Sequence, residues 1–259
     1  IPKELQATIT TAQATLYGSI KNPQGKLQLS ANGQYKQQPF VLSGDLTKTM
    51  DTVVIKNSSL TVMEGKAKIN GQFQTDSMQG NLNVSANAMP LTLLELAGVS
   101  LPDTLTATIS TQLTLKGTLA KPSFRGIASI QGHYQDIPFN TDATGSYQDS
   151  NLQLEQLTLH ALEGEAQIRG AFHTDTLQGN LNINANAMPL TLLKLVGVSL
   201  PETLMATVNT QLNLKGTLAK PAIKGEVSIH GKYQDIPFNT DVTGSYHESN
   251  IQLERLRLH

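Results

Sequence analysis

Six histidines are the side chains of this 259-residue chain best suited to ligate a metal or move a proton near neutral pH: His133, His160, His173, His230, His247 and His259. A metal site needs several such groups together, and in sequence that shows as short, repeated spacings to another His, Asp or Glu. None of the six has a spacing of two or four residues that recurs along the chain. Only His160 and His259 hold equivalent places in the repeat described below, each at a strand end, where a solvated imidazole is the simplest reading. Glu64-Gly65 and Glu163-Gly164 read as turn residues, with no second carboxylate recurring beside them for acid–base work. The strings that mark a nucleophile elbow, a phosphate loop, a zinc-protease helix or a dinucleotide turn do not occur. Asn57 and Asn83 fit a glycosylation sequon, and both read as chance matches in a chain rich in Asn and Ser. With no cysteine there is neither a disulfide framework nor a thiolate metal site. The expectation is a protein that is not an enzyme and holds no cofactor or metal.

The elements that would position any chemistry follow from composition and pattern. Charged residues are 15% of the chain and the net charge is −1, against about 25% charged in a typical soluble domain. A near-neutral surface argues against a nucleic-acid partner, because binding there rests on cations that displace counterions. No Lys/Arg cluster marks an anionic membrane surface. With no Trp and 5% aromatics, a base-stacking platform is not expected. The longest apolar stretch, Met89–Leu101, is broken by Thr92, Glu95, Gly98 and Ser100 and is too short to span a bilayer.

An internal repeat dominates the chain. QGNLNVSANAMPLTLLELAGVSLPDTLTATISTQLTLKGTLAKP from Gln79 returns, lightly changed, from Gln178, a spacing of 99 residues. QDIPFNTDATGSYQDSNLQLEQLTLH from Gln135 returns from Gln234. A diverged copy opens the chain, where residues 1–23 align with 101–122 after a one-residue insertion. The division expected is a diverged partial repeat over 1–78, a full repeat over 79–177 and a truncated one over 178–259, all in one continuous structure. Because the pattern is still repeating at His259, the chain reads as a piece of something longer.

Within each repeat the hydrophobic period is two, the mark of strands with one apolar and one polar face. Leu82, Val84 and Ala86 alternate with Asn81, Asn83, Ser85 and Asn87. Ile109, Leu113 and Leu115 alternate with Ser110, Gln112 and Thr114. Leu152, Leu154, Leu157 and Leu159 continue the pattern with a slip at Glu155–Gln156, repeated at Glu254–Arg255, which predicts a β-bulge or bend. Turn residues at about ten-residue spacing predict antiparallel hairpins and about six strands per repeat, near 104–118, 123–134, 137–147, 151–160, 164–173 and 178–187. Pro90–Ala97 and Pro189–Val196 break the alternation and predict a short helix each, stopped by Gly98 and Gly197. Between the two copies apolar replaces apolar (Val84 and Ile183, Ile109 and Val208) and polar replaces polar (Ser110 and Asn209, Thr114 and Asn213).

Strings such as LTLKGTLAKP, FRGIASIQGHYQDIPF and LQLEQLTLHALEGEAQIRGAF resemble the repeats of the TamB family. This is the inner-membrane-anchored subunit of the bacterial translocation and assembly module, within the AsmA-like, bridge-like lipid-transfer group. The resemblance covers essentially the whole chain. It implies an all-β fold, an elongated open β-groove in which a twisted antiparallel sheet curves like a taco around an apolar interior. Repeats in the related lipid-transfer proteins have about five strands and a loop, one fewer than the six counted here. It further implies a phospholipid partner, a TamA-like outer-membrane barrel partner, and a parent anchored in the inner membrane by an N-terminal helix. The place would be the periplasm of a Gram-negative bacterium. The residues expected to line the groove are Leu82, Val84, Ala86, Ile109, Leu113, Leu115, Ile127, Leu152, Leu154, Leu157, Leu159, Ile168, Phe172, Leu181, Ile183, Val208, Leu212, Leu214, Leu253 and Leu256. The function expected is passive passage of phospholipid between the two membranes. Two other readings stand beside it: a chaperone for outer-membrane β-proteins that offers a sheet edge to an incoming strand, and a repeat-built adhesin or stalk.

Overall fold

The computed structural model describes residues 5–19, 22–35, 37–118, 120–192, 199–217 and 219–259. Sixteen strands pair in chain order, β1 to β16, in one open sheet. The chain divides into two compact units, residues 1–130 with 147–149, and residues 131–146 with 150–259.

The first unit holds β1 (Leu5–Ser19), β2 (Asn22–Tyr35), β3 (Gln38–Thr49), β4 (Thr52–Val62), β5 (Gly65–Gln74), β6 (Gln79–Pro90), β7 (Leu105–Thr118) and most of β8 (Pro122–Tyr134). The second holds most of β9 (Ile137–Gln148), then β10 (Asn151–Ala161), β11 (Gly164–His173), β12 (Gln178–Pro189), β13 (Leu204–Thr217), β14 (Lys220–Tyr233), β15 (Ile236–His247) and β16 (Asn250–Leu258). Neighbours from β1 to β7 and from β10 to β16 run antiparallel. The six strands β7–β12 fall where the alternation places them, ending within two residues of the expected bounds. Thr, Val, Ile and Leu at alternate positions favour this pleated, half-covered conformation. Two-residue turns close several hairpins; in Gln135–Asp136 and Gln234–Asp235 both residues have positive φ, as the right-handed strand twist demands.

The break after β6 is a seven-residue 3-10 helix, Leu91–Ala97. Such a short run favours the tighter winding. It ends at Gly98, whose φ of 83° is left-handed and whose N–H bonds the Glu95 carbonyl at 3.0 Å. Leu91 and Met89 are buried, so this connection is packed down on its own hairpin. The corresponding helix expected over 189–196 lies partly outside the described residues.

Bulges interrupt the ladder at defined places. In β10 the register jumps from Leu154 to Leu157, which sets Glu155 and Gln156 against the single residue Arg169. In β16 Glu254 is skipped between Leu253 and Arg255. The extra residue of the first copy is Thr10, skipped between Ile9 and Thr11. Another pair of bulges was not legible in the alternation. The β6–β7 register jumps from Ala86 to Met89, and the β12–β13 register from Ala185 to Met188. There Ala88 and Ala187 take φ of 48° and 49°, costly for a residue with a Cβ. Each backbone is held by a polar side chain from the next strand. The Ala88 N–H donates to Ser110 Oγ at 3.0 Å, and the Ala187 N–H to Asn209 Oδ1 at 2.7 Å. Ser110 and Asn209 are therefore not only water-facing polar residues; both are acceptors for a bulge.

This pairing makes a prediction. Asn209→Ser should leave the second bulge intact, because Ser already does the work at the equivalent place. Asn209→Ala strands a part-buried N–H, at about 1 kcal/mol. Hydrogen exchange at the Ala187 amide checks it: protection should fall for Ala and hold for Ser, and equal protection in both would remove the role assigned here.

Candidate functional surface

Residues directly opposite in an antiparallel ladder point to the same side of the sheet, so the register sorts the side chains. In the second unit one row runs Leu154, Gly170, Leu181, Leu214, Ile223, Tyr246 from β10 to β15, and Ile251 extends it onto β16. The next row runs Leu157, Ile168, Ile183, Leu212, Gly225, Gly244 and then Leu253. A third runs Leu159, Ala166, Ala185, Thr210, Val227, Val242 and then Leu256. Leu152 stands opposite Phe172, and Val208 opposite Met188. The first unit repeats the scheme: Leu27, Leu46, Ile55, Gly71, Leu82, Leu115 form one row, and Ile69, Val84, Leu113 another, with Ala86 opposite Ala67 and Ile109 opposite Met89.

Between these rows lie polar ones. Arg169, Asn182, Asn213, Lys224, Ser245 and Gln252 are successive partners, as are Gln167, Asn184, Gln211, Glu226, Thr243 and Arg255. A depression of about 820 Å³ on this polar side is lined by Arg169, Asn182, Asn213, Lys215 and Lys224, among others. The first unit has a smaller one of about 370 Å³ bounded by Lys66, Lys68, Ser85, Gln112 and Ile127.

Of the twenty residues expected to line a groove, all but Ile127 share the apolar side of the sheet within their unit by register or alternation. Most of them are half-buried, while Leu253 and Leu256 on β16 are 60% and 54% exposed. Ile127 is the correction. In β8 the more covered positions are Phe124, Gly126, Ala128 and Ile130, whereas Arg125, Ile127, Ser129 and Gln131 are exposed. Ile127 therefore stands among polar neighbours. Its residue type misled the reading; parity along the strand decides its side. What this position supplies is its carbonyl, which accepts from Thr111 Oγ1 at 2.7 Å. Ninety-nine residues later Thr210 Oγ1 donates to the Glu226 carbonyl at 2.8 Å, so the side chain there can be Ile or Glu.

Little covers the apolar rows. Among the described residues the buried hydrophobics are Ala31, Val62, Met89, Leu91, Ala161 and Ala166, and no large side chain is fully buried. The chain exposes 17063 Å², against about 11,000 Å² for a compact protein of its mass. The glycines let the Leu side chains lie close to the backbone. A Cβ at Gly126 would come within 2.8 Å of Leu113 Cδ2, and one at Gly225 within 2.9 Å of Leu212 Cδ2.

Nothing on this surface is arranged as a metal centre: among the described residues there is no group of three His, Cys, Asp or Glu side chains that could hold an ion. His160 has one acidic neighbour, with Nδ1 3.9 Å from Glu165 Oε2, both well exposed. No described helix is long and apolar enough to cross a membrane. Comparison with known proteins finds no matching family model, curated relative or solved structure.

The sidedness can be measured directly because the chain has no cysteine. A polarity-sensitive dye on Leu113→Cys or Leu212→Cys should emit to the blue of the same dye on Gln211→Cys. Ile127→Cys should behave like Gln211→Cys. If Ile127→Cys grouped with Leu113→Cys, the parity assigned to β8 would be wrong.

Proposed function

We propose that this protein is a passive conduit for phospholipid, with acyl chains lying along its apolar face, and that it performs no chemical step. The observation that carries this reading is the set of Leu and Ile rows that pass from strand to strand without a second layer over them. Soluble surfaces rarely leave contiguous apolar patches beyond a few hundred Å², and a sheet with one apolar face must bury it on something. Lipid tails are a filler that needs no specific contact. A tail of sixteen methylenes gains at most about 13 kcal/mol when fully buried. Lying on an open face it is covered on one side, so about half of that is a realistic ceiling. That suits a surface along which a lipid must move as well as bind. The resemblance to TamB-type repeats supports the setting: the periplasm, with the inner membrane at one end and a TamA-like barrel at the other.

The test has two parts. Lipid extracted from gently purified protein should contain phospholipid by mass spectrometry at roughly stoichiometric amounts or above. Leu113→Arg or Leu212→Arg should then lower retained lipid severalfold while the protein still folds, because on an open face the Arg stem can bend its charge toward water. In cells that depend on the parent protein, one Arg should be nearly as damaging as two, since barriers in a conduit act in series. A well-expressed single variant that keeps outer-membrane integrity would sink the conduit reading. Protein without lipid that retains unfolded outer-membrane strands would instead favour the assembly-factor reading. Independently folding 99-residue pieces would favour the stalk.

A further inference from the structure

The hairpin turns place residues in the left-handed backbone region, which suits Gly, Asn and Asp and disfavours bulky side chains. Polar residues fill most of these places: Gln135-Asp136, Asp149-Ser150, Gln234-Asp235 and Glu248-Ser249 all have positive φ. Four turn positions instead hold a large apolar residue. Met63 (φ 54°) follows β4 and Leu162 (φ 55°) follows β10. Met78 (φ 54°) leads into β6 and Leu177 (φ 53°) into β12. Each of these two pairs is 99 residues apart. None of the four is hidden: Met63, Leu162, Met78 and Leu177 are 59%, 51%, 46% and 46% exposed.

Such residues oppose folding twice, through a backbone conformation that Met and Leu resist and through apolar surface left in water. Their surroundings differ between the copies: Lys66 corresponds to Glu165, Asn70 to Arg169 and Gln72 to Ala171. Nor does a turn of this kind call for an apolar side chain. Met50, also with positive φ and exposed, has Asp149 and Glu248 at the equivalent places. At Met63 and Leu162, and at Met78 and Leu177, the side chain changes and its apolar character stays.

The four positions mark the two ends of one strand in each unit. Met63 and Met78 bracket β5, and Leu162 and Leu177 bracket β11. On the apolar side between them stand Ala67, Ile69, Gly71 and Phe73 in β5, and Ala166, Ile168, Gly170 and Phe172 in β11. The ten residues of either strand span about 33 Å. The acyl chains of one bilayer leaflet are about 15 Å long, half the hydrocarbon thickness, so two sets of chains placed end to end match the strand.

We infer that phospholipid acyl chains lie lengthwise along β5 and β11, one lipid from each end of the strand. Met63, Met78, Leu162 and Leu177 meet the first methylenes, and each headgroup stays in water beyond its turn. A chain that reached the end of the strand would otherwise leave the last apolar row and meet water; the apolar turn residue carries the covered path one step further. This inference rests on the conduit reading and gives it an orientation, with the chains at right angles to the strand-to-strand path along which the lipid moves.

Two measurements on the whole chain test it. Leu162→Asn and Leu177→Asn put a residue suited to the left-handed region in place of one that is not. Each should raise the thermal midpoint by about 2–4 °C while lowering the phospholipid retained by the purified protein about twofold. A lower midpoint would mean that the leucine holds the fold, and a raised midpoint with unchanged lipid would mean that it does not touch the ligand; either overturns the inference. Orientation is read with an environment-sensitive dye on Leu162→Cys or Ile168→Cys and phosphatidylcholine carrying a nitroxide near the headgroup or near the tail end. The headgroup-proximal nitroxide should quench the dye at 162 more strongly, and the tail-end nitroxide the dye at 168. The same ratio at both positions would overturn the lengthwise placement while leaving the conduit standing. An unsubstituted chain that retains no phospholipid would sink the conduit and this inference together.

Discussion

The structure depends on one constraint: in an antiparallel ladder, opposed residues share a side of the sheet. Every apolar row described above exists only because the register of each pair agrees with that of the next. Ile183 reaches the apolar side because it lies opposite Leu212, and Leu212 because it lies opposite Gly225. A one-residue slip anywhere would turn all later rows over. The chain must therefore control parity as strictly as it controls composition, and the bulges are where it does so. At Glu155–Gln156 two polar residues are absorbed without turning Leu157 outward. At Asn87–Ala88 the same device returns Met89 to the row of Ile109, and there a hydrogen bond from the next strand supports a backbone conformation that alanine resists.

A sheet of this kind stabilises itself mainly through neighbours in sequence. Nearly all pairing is between consecutive strands, so loop closure is local and its entropic penalty is small. Among the described residues no second layer of strands or long helices lies beside this sheet. Met89 near the end of β6 and Leu91 at the start of the helix after it are buried, and Val62, Ala161 and Ala166 are covered near hairpin ends. Mid-strand Leu and Ile are only half-covered by their lateral neighbours. Such partial burial, summed over many rows, can hold the sheet while leaving apolar area in reach of a ligand. In a sealed core the same residues would be fully committed to folding.

Much of this is legible in the amino-acid sequence. Alternation of period two marked the strands of β7–β12, and the doubled polar residues at Glu155–Gln156 marked a bulge. Ile127 was misplaced because it was assigned by type; counting from Phe124 through Gly126 and Ala128 would have put it on the other side. The bulge at Ala88 was hidden because SANAMP keeps a small residue at each step, so no polar doubling signals the extra residue. The short helix expected over Pro90–Ala97 is a 3-10 helix over Leu91–Ala97, a winding that rests on a few competing hydrogen bonds and leaves no periodicity in seven residues. The candidate surface was readable as a set of residues, but the partners of those residues were not, because opposite strands are set by register rather than by any local string.

Comparing positions 99 residues apart shows that the two sides obey different rules. On the apolar side Val84 and Ile183, Leu113 and Leu212, Leu115 and Leu214 differ by no more than a methylene. On the polar side Lys66 corresponds to Glu165, Lys68 to Gln167 and Ile127 to Glu226, so charge changes sign and an apolar residue exchanges with an acid. If the polar side held a specific charged ligand at equivalent places in both copies, those reversals would abolish one of the two sites. At Ser110 and Asn209 the polar type is kept where a backbone N–H needs an acceptor. Thr111 and Thr210, which lie in the apolar rows, are likewise kept as donors to a neighbouring carbonyl. On the apolar side, by contrast, Val84, Leu113, Leu115 and their counterparts keep to Leu, Ile and Val from copy to copy.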